Sequence, residues 1–155
     1  MIHIEQADEP DFWKQFKRKH KSVKYNDLDK TDEGKEVRKR IRKFNVDQQH
    51  GLCAYCCKRI DFNASLNEHI KPQGVGKYAN LSMDYRNIIA SCKTEDGALV
   101  STCSAHKRNQ YDEKLFVSPL DKECESHFTF YPDGTIVPLT DKAKYTIDLL
   151  NLNSY

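Results

Sequence analysis

No apolar run in this chain approaches the roughly 20 residues that a helix needs to span a bilayer, which argues against a membrane span. The opening residues Met1-Ile2-His3-Ile4-Glu5 lack the apolar core of a secretory leader. A strong excess of charge is also missing. The 25 Lys and Arg nearly balance 23 Asp and Glu, for a formal net charge of +2. The chain as a whole is therefore no polycation, and any affinity for nucleic acid must come from local clustering. There is no internal repeat and no low-complexity tract, which excludes a repeat architecture. Together these absences point to a cytoplasmic protein, where thiols stay reduced. Six cysteines in that setting suggest metal binding rather than a disulfide framework. With 155 residues, 38% of them hydrophobic and 31% charged, the core is modest and benefits from a metal staple.

Periodicity then suggests an α+β chain. Residues 9–20 read as a helix with Phe12 and Phe16 on one face and Trp13 beside them. Residues 21–30 are polar and read as a loop. Thr31 is a good N-cap, followed by Asp32 and Glu33 at the positive end of a helix dipole. Val37, Ile41 and Phe44 form one apolar stripe, and Gly51 ends the helix or the turn after it. Lys35, Arg38, Lys39, Arg40, Arg42 and Lys43 fill the other side. Arg38, Lys39 and Arg42 are candidates for contact with a nucleic-acid backbone, against the alternative of a solvated helix face.

After a tight turn at Cys53 and Cys56, Ile60 and Phe62 open a possible strand. Leu66–Ile70 and Ile88-Ile89-Ala90 read as strands. Residues 71–82 read as a loop, residues 93–102 as a turn or small insertion, and Ser104–Tyr111 as a helix. Residues 127–131 alternate, and Asp133-Gly134 signals a hairpin before Ile136-Val137. Asp141 is a candidate cap for a last helix through Leu150. The expected division is an N-terminal helical segment, 1–50, and a core with C-terminal hairpin and helix, 51–155, forming one compact unit.

Two constellations carry chemistry. Cys53-x2-Cys56 is half of a four-thiolate site, and Cys92 with Cys103 is the natural other half. A closed set of four thiolates suits a structural Zn²⁺. Cys57 and Cys124 are spare, and Cys57 could replace Cys56 in another register. A redox CxxC or a set of buried free thiols are the competing readings. The second constellation is Glu68-His69-Ile70-Lys71-Pro72, then Asn87, then His106-Lys107. A carboxylate beside a histidine supplies a hard oxygen ligand next to a nitrogen base, and an imidazole suits proton abstraction near neutral pH. Asn87 can hold that base by hydrogen bond, and His106 can close a metal site with Glu68. Mg²⁺ or Mn²⁺ suits such a set, and Ni²⁺ or Zn²⁺ is also admitted. Lys107 is a further candidate for contact with nucleic acid. Ser104, directly after the last cysteine, competes with His106 for the final position. His3, His20, His50 and His127 read as structural.

This pattern resembles that of HNH endonucleases, with His69, Asn87 and His106 as the name-giving residues and paired cysteines around them. The runs Gln49-His50-Gly51-Leu52-Cys53-Ala54-Tyr55-Cys56, Ser118-Pro119-Leu120-Asp121 ahead of Cys124, Phe128 to Gly134 and Leu150-Asn151-Leu152-Asn153 look like the PtuB family, the HNH nucleases of Septu-type antiphage systems and related retrons. The resemblance implies a zinc-stapled ββα-metal core. It also implies His69 as general base, its ring oriented by the Asn87 backbone carbonyl, and products with a 3′-hydroxyl and a 5′-phosphate. The implied partners are nucleic acid, DNA before RNA, a PtuA-like ABC-type ATPase, and a retron reverse transcriptase with its nucleic acid. An RNase on the same fold and a zinc module that has lost catalysis are the alternatives. The outer faces of the two terminal helices, around Trp13 and Tyr145, are candidate docking surfaces, while each aromatic taken singly reads first as core.

Overall fold

The computed structural model describes residues 1–93 and 101–154. Its first helix, α1 (Asp11–Lys19), buries Trp13 and Phe16. Trp13 is fully buried and its indole N–H donates to the Met83 carbonyl at 3.2 Å. Trp13 itself is therefore core, the role expected of the aromatic taken singly. Residues 21–30, expected as a polar loop, contain a 3₁₀ turn (Tyr25–Lys30) that buries Tyr25 and Leu28. Two apolar side chains among charged ones give no helical or strand period, so the turn left no signal.

Helix α2 (Asp32–Gln48) begins where the Thr31 hydroxyl accepts the Gly34 amide at 3.0 Å, with Asp32 and Glu33 in its first turn. A Cβ at Gly34 would collide with the Leu28 backbone, so glycine lets the 3₁₀ turn lie against α2. The chain turns away after Gln48 through His50 and Gly51, both at positive φ, a conformation that costs glycine little.

Strand β1 (Ser65–His69) pairs antiparallel with β2 (Ile88–Cys92), His69 opposite Ile88 and Ser65 opposite Cys92. All five residues of β2 are buried, as the apolar run predicts. Ile60 and Phe62 form no strand, and only Arg59 bridges to Leu52 there. Helix α3 (Cys103–Lys107) follows β2 and ends at Arg108, at positive φ, short of the expected Tyr111. Most of the expected insertion, 94–100, lies outside the described residues. Strands β3 (Phe128–Phe130) and β4 (Ile136–Pro138) make the expected hairpin, with Gly134 at positive φ in its turn. Helix α4 (Asp141–Leu150) is capped by the Thr140 hydroxyl, one residue before the expected Asp141.

The fold is thus α+β, with two small antiparallel sheets and four helices among the described residues. Its hydrophobic residues divide into two clusters, and β2 feeds both. Ile88 packs with Trp13, Tyr25, Leu28 and Ile41. Ile89 packs with Met1, Ile4, Val46, Tyr55, Phe116 and Leu150. Both clusters mix residues from before and after position 50.

Candidate functional site

The turn after α2 and the end of β2 bring four thiols together. The Sγ atoms of Cys53, Cys56, Cys92 and Cys103 all lie within 4.8 Å of one another. Cys53 and Cys103 are 3.9 Å apart, as are Cys56 and Cys92. A tetrahedron with Zn–S bonds of about 2.3 Å has edges of roughly 3.8 Å, so the cluster has the size of a four-thiolate metal site. The Cys92 amide donates to the Cys53 sulfur at 3.3 Å, as suits an anionic thiolate. Hydrogen bonding from Cys103 drives the Cys53 thiol well below the usual range, and Cys53 in turn drives Cys103 well above it. Several thiolates cannot coexist here without a cation, and a bound metal ion removes that conflict. Among the described residues no other group of His, Cys, Asp or Glu side chains forms such a cluster. Cys57, at positive φ, and Cys124, fully buried, stand outside it.

Alternation along β1 sends consecutive residues to opposite faces. Asn67 and His69 turn toward the N-terminal elements. The Asn67 amide donates to the Tyr25 hydroxyl at 2.6 Å and to the Arg38 carbonyl at 3.0 Å. The His69 ring meets Tyr25 edge-to-face, with centroids 4.6 Å apart. Its Nε2 lies 2.9 Å from the Ser82 carbonyl. A carbonyl only accepts, so Nε2 carries the proton and Nδ1 holds the lone pair. Burial pushes His69 down to about 4, against the pull of the Ser82 carbonyl.

The expected ring partner, Asn87, does other work. Its carbonyl accepts the Ile70 amide at 3.0 Å. Its side chain clamps the Lys71 backbone, accepting the amide at 2.8 Å and donating to the carbonyl at 2.9 Å. Asn87 thus holds the chain just beyond His69, and Ser82 holds the ring. Ser82 ends the stretch 71–82, which read as a loop, and lies ten residues past the Glu68–Pro72 motif, so nothing in the sequence marked it.

Glu68 turns the other way. Its Oε1 accepts from the Lys107 ammonium at 2.8 Å and the Tyr55 hydroxyl at 3.2 Å. Lys107 also donates to the His69 carbonyl at 2.9 Å. Burial pushes the Glu68 carboxyl up, and Lys107 pulls it back toward the ionised form. Burial, reinforced by Glu68, pushes Tyr55 well above the usual phenol range and keeps it a donor.

Lys107 is therefore fully buried, which corrects its reading as a contact for nucleic acid. His106, one residue earlier on α3, is exposed, and its Nδ1 lies 3.0 Å from the Leu149 carbonyl on α4. Its contacts and those of Glu68 run to different places. Ser104 shares the buried face of α3 with Cys103 and Lys107. Its hydroxyl oxygen is buried with no hydrogen-bond partner.

The basic residues of α2 differ from one another. Lys39 is exposed. Arg38 pairs with Asp29 and lies 5.1 Å from the Tyr25 ring centroid. Arg42 stacks on Phe62 at 4.0 Å and donates to the Ser65 carbonyl at 3.3 Å, while its Nε is buried and unpartnered.

No family model matches this chain. It is 35% identical over 125 residues to the protein called "Retron Vc95 putative HNH endonuclease" from Vibrio cholerae serotype O1 biovar El Tor. The match takes in 76% of this chain and 59% of that protein. This chain thus spans about three fifths of that relative's length. The relative's name agrees with the HNH and retron parts of the resemblance seen in the sequence. Among the described residues no helix is long and apolar enough to cross a membrane.

Proposed function

We propose that this chain is a metal-dependent HNH endonuclease that hydrolyses phosphodiester bonds in nucleic acid, DNA before RNA, in antiphage defence. The observation that carries the reading is the His69 ring. Its protonated nitrogen is committed to the Ser82 carbonyl, which leaves Nδ1 as a base. Burial keeps the ring neutral at physiological pH, so Nδ1 presents a lone pair and not a proton.

In this reading Nδ1 takes a proton from water, the water oxygen bonds to phosphorus, the bond to the 3′ oxygen breaks, and the departing oxygen takes a proton from solvent. The products are a 5′-phosphate and a 3′-hydroxyl. Glu68 would hold a divalent ion, Mg²⁺ or Mn²⁺. The second donor we assign is Ser104, in place of His106. An orphaned buried hydroxyl on the Lys107 face of α3 and a hard oxygen donor set suited to Mg²⁺ support that assignment. Such an ion, when bound, offsets charge on the phosphoryl and leaving oxygens. Asn87 fixes the chain beside the base through Lys71. Arg38, Lys39 and Arg42 would face the substrate backbone, and Zn²⁺ would fill the four-cysteine site as a staple.

The partners we assign are a PtuA-like ABC-type ATPase and a retron reverse transcriptase with its nucleic acid, in the cytoplasm. The retron in the relative's name supports the second. The test is cleavage of end-labelled DNA and RNA panels with Mg²⁺ or Mn²⁺, with and without the ATPase. Cleavage of DNA that stops on chelation is expected. Intact DNA and RNA in every arm would overturn the reading.

A further inference from the structure

The side-chain donors that fix Glu68 come from the two segments that carry the cysteines. Tyr55 lies between Cys53 and Cys56. Lys107 lies on α3, which begins at Cys103. Both donate to the same oxygen, Oε1. Lys107 also reaches the His69 carbonyl, so one ammonium ties together the two residues at the end of β1. Tyr55 and Lys107 are fully buried, and the Tyr55 ring is held edge-on by Phe116 at 6.1 Å. Neither donor reaches the surface, and each sits on a segment that also carries a cysteine of the cluster.

We infer that Tyr55 and Lys107 are positioning residues through which the four-cysteine centre sets the geometry of Glu68. The centre then does more than hold the fold. By carrying both side-chain donors it commits Oε1 and leaves Oε2 with neither of them, which orients the carboxylate toward its ion. The inference rests on Glu68 being an ion ligand, as proposed above.

Partners of this kind, behind a metal ligand, typically cost 10–100-fold in metal affinity or activity when removed. Lys107→Met leaves a buried carboxylate without its cation and risks the fold, so Tyr55→Phe is the main variant. It keeps the ring and removes one donor. Tyr85→Phe is the control, because it loses a hydroxyl whose partner is Gln48, at 2.9 Å, away from Glu68.

The measurement is Mn²⁺ binding by electron paramagnetic resonance on zinc-loaded protein, with zinc content and cleavage measured alongside. Tyr55→Phe should bind Mn²⁺ at least about tenfold more weakly, with its zinc content unchanged, and Tyr85→Phe should match the parent. Cleavage should fall in Tyr55→Phe but should not fall further when Tyr55→Phe is added to Glu68→Gln, because both act at one carboxylate. If Glu68→Gln weakens Mn²⁺ binding and Tyr55→Phe does not, the inference is overturned and the ion reading stands. If Glu68→Gln also binds Mn²⁺ as the parent does, both fall. Additive losses in the double variant would also overturn the inference, since they would mark Tyr55 as a general packing residue.

Discussion

Lys107 shows how much one side chain can decide. It is fully buried with Glu68 as its counter-ion. Removing one partner of a buried pair leaves an uncompensated charge and costs about 3–5 kcal/mol. Lys107→Met should therefore lower stability by about that much in urea unfolding. Adding Glu68→Gln should recover a large part of it. A Lys107→Met protein as stable as the parent would remove the ion pair from the account. His69 predicts a pH effect of definite sign. Its folded pKa is near 4, below the roughly 6.5 of an unfolded chain. As pH falls through that interval the unfolded state binds the proton first, so stability is lost on acidification and not on raising pH. Relative to His69→Gln, the parent should lose about 2 kcal/mol between pH 7.5 and pH 5. Equal losses in both proteins would mean that the ring is not buried neutral.

The elements with a simple local cause were legible in the sequence. The Thr31 cap, the Ile88-Ile89-Ala90 run and the Asp133-Gly134 turn each act within a few residues, and each lies where expected. The CxxC turn and the distant Cys92 and Cys103 also meet as expected. What stayed hidden depends on partners far along the chain. Lys107 looked like a surface cation because the carboxylate that buries it is 39 positions away. Tyr25 looked like loop because its packing needs His69 and Arg38. Ser82 acts through its carbonyl, which no side chain advertises. Helix α2 supports two predictions. Gly34→Ala would press on the Leu28 backbone and should cost about 1–3 kcal/mol, as overpacking does. A neutral thermal melt would show that the 3₁₀ turn gives way freely. Replacing Arg38, Lys39 and Arg42 with Gln should weaken nucleic-acid binding evenly across sequences. It should also flatten the log K against log salt slope by about 0.9 for each lost phosphate contact. An unchanged slope would return α2 to the role of a solvated helix.

At the scale of the whole molecule, the cysteine centre joins the turn after α2, the end of β2 and the start of α3. A structural zinc there can supply on the order of 10 kcal/mol of folding free energy. Cys53→Ser should aggregate or melt early with its zinc lost, while Cys124→Ser should keep its metal. A metal-free protein that still melts cooperatively would deny the staple. The central claim is that His69 acts as the general base and not only as a packed ring of the scaffold. The direct measurement is cleavage of end-labelled DNA by purified His69→Ala with Mg²⁺ and whatever partner the parent requires, beside its zinc content and melt at neutral pH. The account predicts full zinc, a melt that stays cooperative though lowered by the loss of a buried ring, and cleavage by the folded protein reduced by at least roughly 10²–10⁴-fold, with no rescue by Mn²⁺. Cleavage by His69→Ala at the parent's rate across a pH series would contradict it.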